Sequence, residues 1–191
     1  MMINEAKEIL AKSCAAKELL ENFENGGGGT FVVDEKAQSL GAFSPESNVI
    51  RINPRLTESC EEVAWVLLFE LLRFKHSSDQ QALDMKAKVR LLEREAYATQ
   101  CEKLGYKCVR EHHEIAQSAV TNNIWPQSMD VFADAVKHYD TWEKWSETFK
   151  GHLSAHYAVF LDRYDLLRCD IDPAWLSQIW KIVRLPSDTI R

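Results

Sequence analysis

Hydrophobic positions along the chain fall into two regimes, a short one of period two and a long one of helical period. Ile3, Ala6, Ile9, Leu10, Leu19, Leu20 and Phe23 form an interrupted apolar stripe that predicts a first helix over residues 3–23. "NGGGG", Asn25 to Gly29, ends it. No Lys-Ser/Thr pair or helix start follows, so these glycines read as a turn and not as a phosphate cradle. "TFVVDE" (30–35), "GAFS" (41–44) and "NVIRIN" (48–53) are extended. "SPES" supplies turn residues between the last two, which predicts a hairpin closed by Pro54 within a small antiparallel sheet.

After Thr57 the pattern is helical. Ser59 followed by Glu62 opens a helix to about His76 as a capping box. A second long helix is predicted over 80–104, with Gly105 as its C-cap. Further helices are predicted over 107–122, 128–148 and 152–168, and Asp172-Pro173 opens a last one through Val183. The expected architecture is one α+β, mainly helical domain over 1–191. Its parts are an N-terminal helix (1–24), a hairpin or small sheet (30–53), two long helices (57–104) and C-terminal helices (107–184).

"AWVLLFELLRFKH", residues 64–76, carries a carboxylate where the pattern calls for none. Val63, Val66, Leu67, Phe69, Leu71, Leu72 and Phe74 cover most of the helix circumference, so Glu70 is buried and needs a partner. Arg73 lies one turn on, within reach for an ion pair that needs no function.

The order of elements resembles that of small bacterial zincin-like metallopeptidases of the type "YDPxxNxIxLNP … LAHELRHAWQ … RxxEAxAxAxQ". "AFSPESNVIRINP" stands for the strand pair, "LLFELLRFKH" for the helix bearing H-E-x-x-H, and "RLLEREAYATQ" for the helix bearing the third ligand. In that family two His ligate Zn²⁺ and the Glu between them activates the bound water. The resemblance places Glu70 at the base position and Glu95 at the third ligand. The two His positions hold Phe69 and Arg73, neither of which can coordinate a metal. The resemblance therefore implies a zincin-like layout without its zinc site and without a cofactor. Arg73 is expected to replace the missing ion's charge by bridging Glu70 and Glu95.

Other chemistry is sparse. His76 shares the helix face of Phe69 and Arg73 and reads as a helix-end histidine beside the C-terminal dipole. His152 and His156 stand four apart with Asp162 beyond them, but no carboxylate lies between. "EHHE" (111–114) alternates faces, so its adjacent His residues do not chelate together. Trp125, Trp142, Trp145, Trp175 and Trp180 crowd the last third of the chain, and "YDTWEKWSETF" is strongly amphipathic. Tyr139, Trp142, Trp145 and Phe149 are thus candidate partner-binding residues.

Composition narrows the function classes. A net charge of −6 argues against nucleic-acid binding. No apolar run is long enough to span a bilayer, and the N-terminus has no secretory h-region. Five scattered cysteines without a CxxC pair fit a reducing cytoplasm better than a disulfide framework, although export by a specialised system stays open. The expected function is a degenerate, metallopeptidase-like protein that binds or regulates a protein partner. A divergent hydrolase using Glu70 with His76, or a relocated metal at His152 and His156, is one alternative. A helical adaptor unrelated to zincins is the other.

Overall fold

The computed structural model describes residues 2–147 and 155–169 and is mainly helical with one small sheet, an α+β fold. It divides into two compact units. The first holds residues up to Ser78 together with Leu104–Glu147; the described part of the second holds 79–103 and 155–169. Among the described residues no helix is long and apolar enough to cross a membrane.

The first unit opens with α1 (Met2–Leu10) and α2 (Cys14–Glu21) in place of one expected helix. The break has a geometric cause. At 100° per residue, a straight helix would set Ala16, Leu20 and Phe23 about 90° away from Ala6 and Leu10. An extended Ser13 (φ −95°, ψ 126°) realigns the two stripes, and all five residues are buried. A single π-helical turn, Asn22–Gly26, then leads into the glycine run.

That run is shaped by aromatic packing. Phe23, Phe31, Phe43 and Phe74 form an edge-to-face cluster, with centroids 4.9 Å (Phe23–Phe31), 5.0 Å (Phe23–Phe74) and 5.8 Å (Phe43–Phe74) apart. Gly29 lies so close to the Phe23 ring that a Cβ would collide with it. A Cβ on Gly27 would meet the Phe74 ring at 2.8 Å, and Gly28 has φ +61°. Backbone laid directly on ring faces explains the run better than loop flexibility does.

The sheet has the order β1-β3-β2, with β1 Thr30–Val33, β2 Gly41–Ser44 and β3 Val49–Ile52. The β2–β3 hairpin is antiparallel, as expected, with Phe43 opposite Ile50. The expectation of a wholly antiparallel sheet is corrected, because β1 pairs with β3 in parallel, Phe31 opposite Ile50. The hairpin places β3 in the middle, so β1 adds to its free side and β2 remains an edge.

Helix α3 (Cys60–Lys75) begins where the capping box places it: Ser59 Oγ accepts the Glu62 N–H at 3.1 Å. The reciprocal arm differs by one residue, since Glu62 accepts from Glu58 N–H rather than from Ser59. Val63, Ala64, Val66, Leu67, Leu68, Leu71 and Leu72 are buried, packed against α1, α2, β2 and β3. The core of this unit therefore lies around α3.

Beyond α3 the expected boundaries shift. α4 (Ser77–Lys88) stops at Arg90, which takes φ +60°, and α5 (Arg94–Thr121) runs straight through Gly105. Gly105 is thus no C-cap. A helix-interior glycine costs only about 1 kcal/mol, which the buried Tyr97, Ala98 and Cys101 before it and Cys108, Val109 and His112 after it offset. In place of the one helix expected over 128–148, residues 127–147 hold a 3₁₀ turn (Gln127–Met129), α6 (Ala133–His138) and α7 (Trp142–Glu147). The next helix, α8, spans Ala155–Cys169. His152, Phe149, Trp175, Trp180 and the expected helix at 173–183 lie outside the described residues, as does the side chain of His156.

The described part of the second unit has its own core of Ala87, Tyr97, Cys101 and Tyr164. A polar knot crosses it. Asp84 Oδ1 accepts Tyr97 Oη–H at 2.7 Å and Gln80 Nε2–H at 2.9 Å, while Oδ2 accepts Arg163 Nη2–H at 2.6 Å. Burial alone would raise the Asp84 carboxyl, but these donors outweigh it and hold it below its ordinary value.

Two glycines give opposite expectations. A Cβ at Gly41 would collide with Val66 Cγ1, a short and stiff neighbour on α3. Gly41→Ala should destabilise the chain by about 1–3 kcal/mol. Gly105 has nothing within 4 Å of a Cβ, so Gly105→Ala should stabilise by about 0.5–1 kcal/mol. Urea unfolding of both variants checks the pair.

Candidate functional site

The centre of α3 meets the edge of the sheet at Glu70. Its side chain is 5% exposed. Oε2 accepts the Phe43 backbone N–H from β2 at 2.8 Å and Arg73 Nη1–H at 3.1 Å. Phe43 belongs to the edge strand, and its N–H would have no ladder partner on that side. The carboxylate therefore does for β2 what a further strand would do. Burial raises the Glu70 carboxyl above its ordinary value; Arg73 and the Phe43 amide pull it down but do not cancel the effect. The Glu70–Arg73 pair read from the sequence is present.

The neighbouring family positions carry no metal chemistry. Phe69 packs on Phe132 with centroids 5.6 Å apart. Arg73 donates to Glu70 and is a permanent cation. Glu95 is exposed in the first turn of α5, within the second unit, where its carbonyl accepts the Thr99 hydroxyl at 2.8 Å. Among the described residues no group of three His, Cys, Asp or Glu could hold a metal ion. The donor set around Glu70 does not fit the zinc of the resembled family.

His76 caps the C-terminal end of α3 and is buried. Its Nε2 lies 2.9 Å from Glu111 Oε1, while Lys75 Nζ donates to Glu111 Oε2 at 2.8 Å. Burial would raise Glu111, yet Lys75 and His76 hold it below its ordinary value. The histidine is thus bound at a helix end by a carboxylate from α5.

The "EHHE" run, weak as a chelating motif, proves to be where α5 makes several of its polar contacts. Each residue finds a separate partner, Glu111 with Lys75 and His76, His113 with Asp130 at 2.9 Å. His112 is fully buried between the backbone and Phe132, whose ring lies edge-on at 4.9 Å. Its Nε2 donates to the Trp65 carbonyl at 3.2 Å, and Nδ1 has no partner among the described residues. Burial lowers this imidazole to about 4, so it is neutral. Cys108, also buried on α5, is pushed up to about 12 by its burial and is no nucleophile. Adjacent charged residues give no hint in the sequence of separate targets; only the packing of α5 separates them.

The aromatic segment is half-buried. Trp142 and Trp145 gather about Tyr106 at 6.0 Å and 5.2 Å, and Tyr139 meets Trp145 edge-on at 5.6 Å. Tyr106 Oη–H donates to the Tyr139 carbonyl, and Arg110 to that of Asp140.

Two buried groups set opposite pH dependences. His112 binds its proton less readily folded than unfolded, so stability is full above about pH 6.5 and falls towards pH 4. The loss is about 3 kcal/mol for a shift from 6.5 to about 4. His112→Gln should remove that slope in urea titrations across pH 4–7. Glu70 binds its proton more readily when folded, so its contribution is largest below its ordinary value of 4.5 and declines as pH rises through the folded value. Glu70→Gln keeps an acceptor for Phe43 N–H and should stay within about 1 kcal/mol of wild type at pH 7. Glu70→Leu strands the amide and should cost about 1–3 kcal/mol.

No protein-family model, curated protein or solved structure matches this chain.

Proposed function

We propose that this protein is a non-catalytic, protein-binding or regulatory module that retains a peptidase-like frame of helix and edge strand. The observation that carries this reading is the double engagement of Glu70 Oε2 by Phe43 N–H and Arg73. A general base must reach a reacting water or substrate proton. Glu70 is instead buried, and its engaged oxygen completes the hydrogen bonding of β2. Phe69 and Arg73 stand where the resembled family has its imidazoles, one packed on an aromatic ring and the other ion-paired. Three strands before residue 55, with the hairpin running along α3, support this frame over a purely helical adaptor. The partner surface we assign is Tyr139 to Glu147, where amphipathic α7 leaves Trp142 and Trp145 only half-covered. The four cysteines whose side chains are described are unpaired, which suits a reducing, cytoplasmic setting.

Elemental analysis of chain expressed in zinc-supplemented medium tests the reading. Wild type should be free of metal, and the Phe69→His, Arg73→His double variant should take up about one zinc per chain. Stoichiometric metal in wild type would overturn the non-catalytic reading. A folded double variant that takes up none would overturn the peptidase-like frame.

A further inference from the structure

A cavity of about 450 Å³ lies between the C-terminal half of α5 and the segment from Gln127 through α6. That volume falls within the range of small-molecule sites. His113 and Val120 face it from α5, and Asp130, Asp134, Val136 and Lys137 face it from the other side.

The polar groups are arranged in a definite way. Asp130 has a side chain only 4% exposed, and His113 Nδ1 lies 2.9 Å from its Oδ1. A carboxylate only accepts, so the Nδ1 proton is directed at Asp130 and the ring orientation is fixed. His113 Nε2 has no hydrogen-bond partner among the described residues. Asp134 and Lys137, one turn apart on α6, pair neither with each other nor with another described group. With neutral His113, the four ionisable residues carry one positive and two negative charges; protonation of His113 brings the sum to zero. A net anion such as phosphate is poorly matched by such a lining, whereas a molecule bearing both charges is well matched. Val120 and Val136 add an apolar wall.

We propose that this cavity binds a free α-amino acid with an aliphatic side chain. Lys137 takes the carboxylate, Asp134 and His113 Nε2 take the ammonium group, and Val120 and Val136 cover the side chain. Both charged anchors on α6 are exposed, so the affinity is modest, about millimolar or somewhat tighter. The inference uses none of the residues around Glu70, and each reading can fail without the other.

Titration calorimetry of the full chain with each of the twenty α-amino acids, followed by the N-acetyl and amide forms of the tightest, tests the proposal. An aliphatic amino acid should saturate, and blocking either charged end should weaken it by about tenfold or more. Lys137→Met should weaken the free amino acid by a similar factor and leave the amide form unchanged. Asp134→Asn should do the same with the N-acetyl form. Both positions are exposed, so circular dichroism should match wild type. The proposal is overturned if no amino acid saturates, if the blocked forms bind equally well, or if Lys137→Met weakens the amide form as much as the free acid.

Discussion

A backbone N–H at the edge of a sheet must find an acceptor once a helix covers it, and this requirement organises the first unit. Helix α3 packs against β2 closely enough to exclude side-chain atoms at Gly41. The Phe43 amide beside it is then cut off from solvent. Glu70, reaching from the helix, supplies the missing acceptor, and Arg73 from the next turn moderates the burial of its charge. Hydrophobic burial draws α3 into the core, but the hydrogen bond decides which residue of α3 stands over which residue of β2. The carboxylate thereby ties the helix to the sheet edge.

The same economy of space appears at the glycine run. Phe23, Phe31, Phe43 and Phe74 come from a π-helical turn, two strands and α3, and their rings meet edge to face. The chain between Phe23 and β1 has to cross those rings without side chains of its own. Gly27 and Gly29 permit that contact, and Gly28 turns the backbone through a left-handed conformation. Asn48, itself at φ +52°, donates from its side chain to the Gly27 carbonyl and ties the hairpin turn to the run.

Two carboxylates, one in each unit, are held by more than one donor each. Asp84 has Tyr97, Gln80 and Arg163; Glu111 has Lys75 and His76. His112 takes the other course and stays neutral, edge-on to Phe132. None of these groups is left poised to titrate or attack at a solvent-facing cleft. The pair at His113 and Asp130 differs in lining an open cavity, with one ring nitrogen unpartnered among the described residues.

What the sequence alone determined is local. The Ser59 cap, the all-round apolar surface of α3, the hairpin at "SPES" and the need of Glu70 for a partner depend on residues a few positions apart, where period and capping chemistry act directly. So did the exclusion of zinc ligation at Phe69 and Arg73, since it follows from side-chain chemistry. The tertiary structure decided everything that required distant backbone. It set the parallel pairing of β1, the break at Ser13 and the passage of α5 through Gly105, where burial on both sides outweighs a weak propensity. It also chose the Phe43 amide as the second partner of Glu70 and sent Glu111, His112 and His113 to three different targets. Those outcomes depend on which surfaces meet, and no periodicity within one segment carries that information.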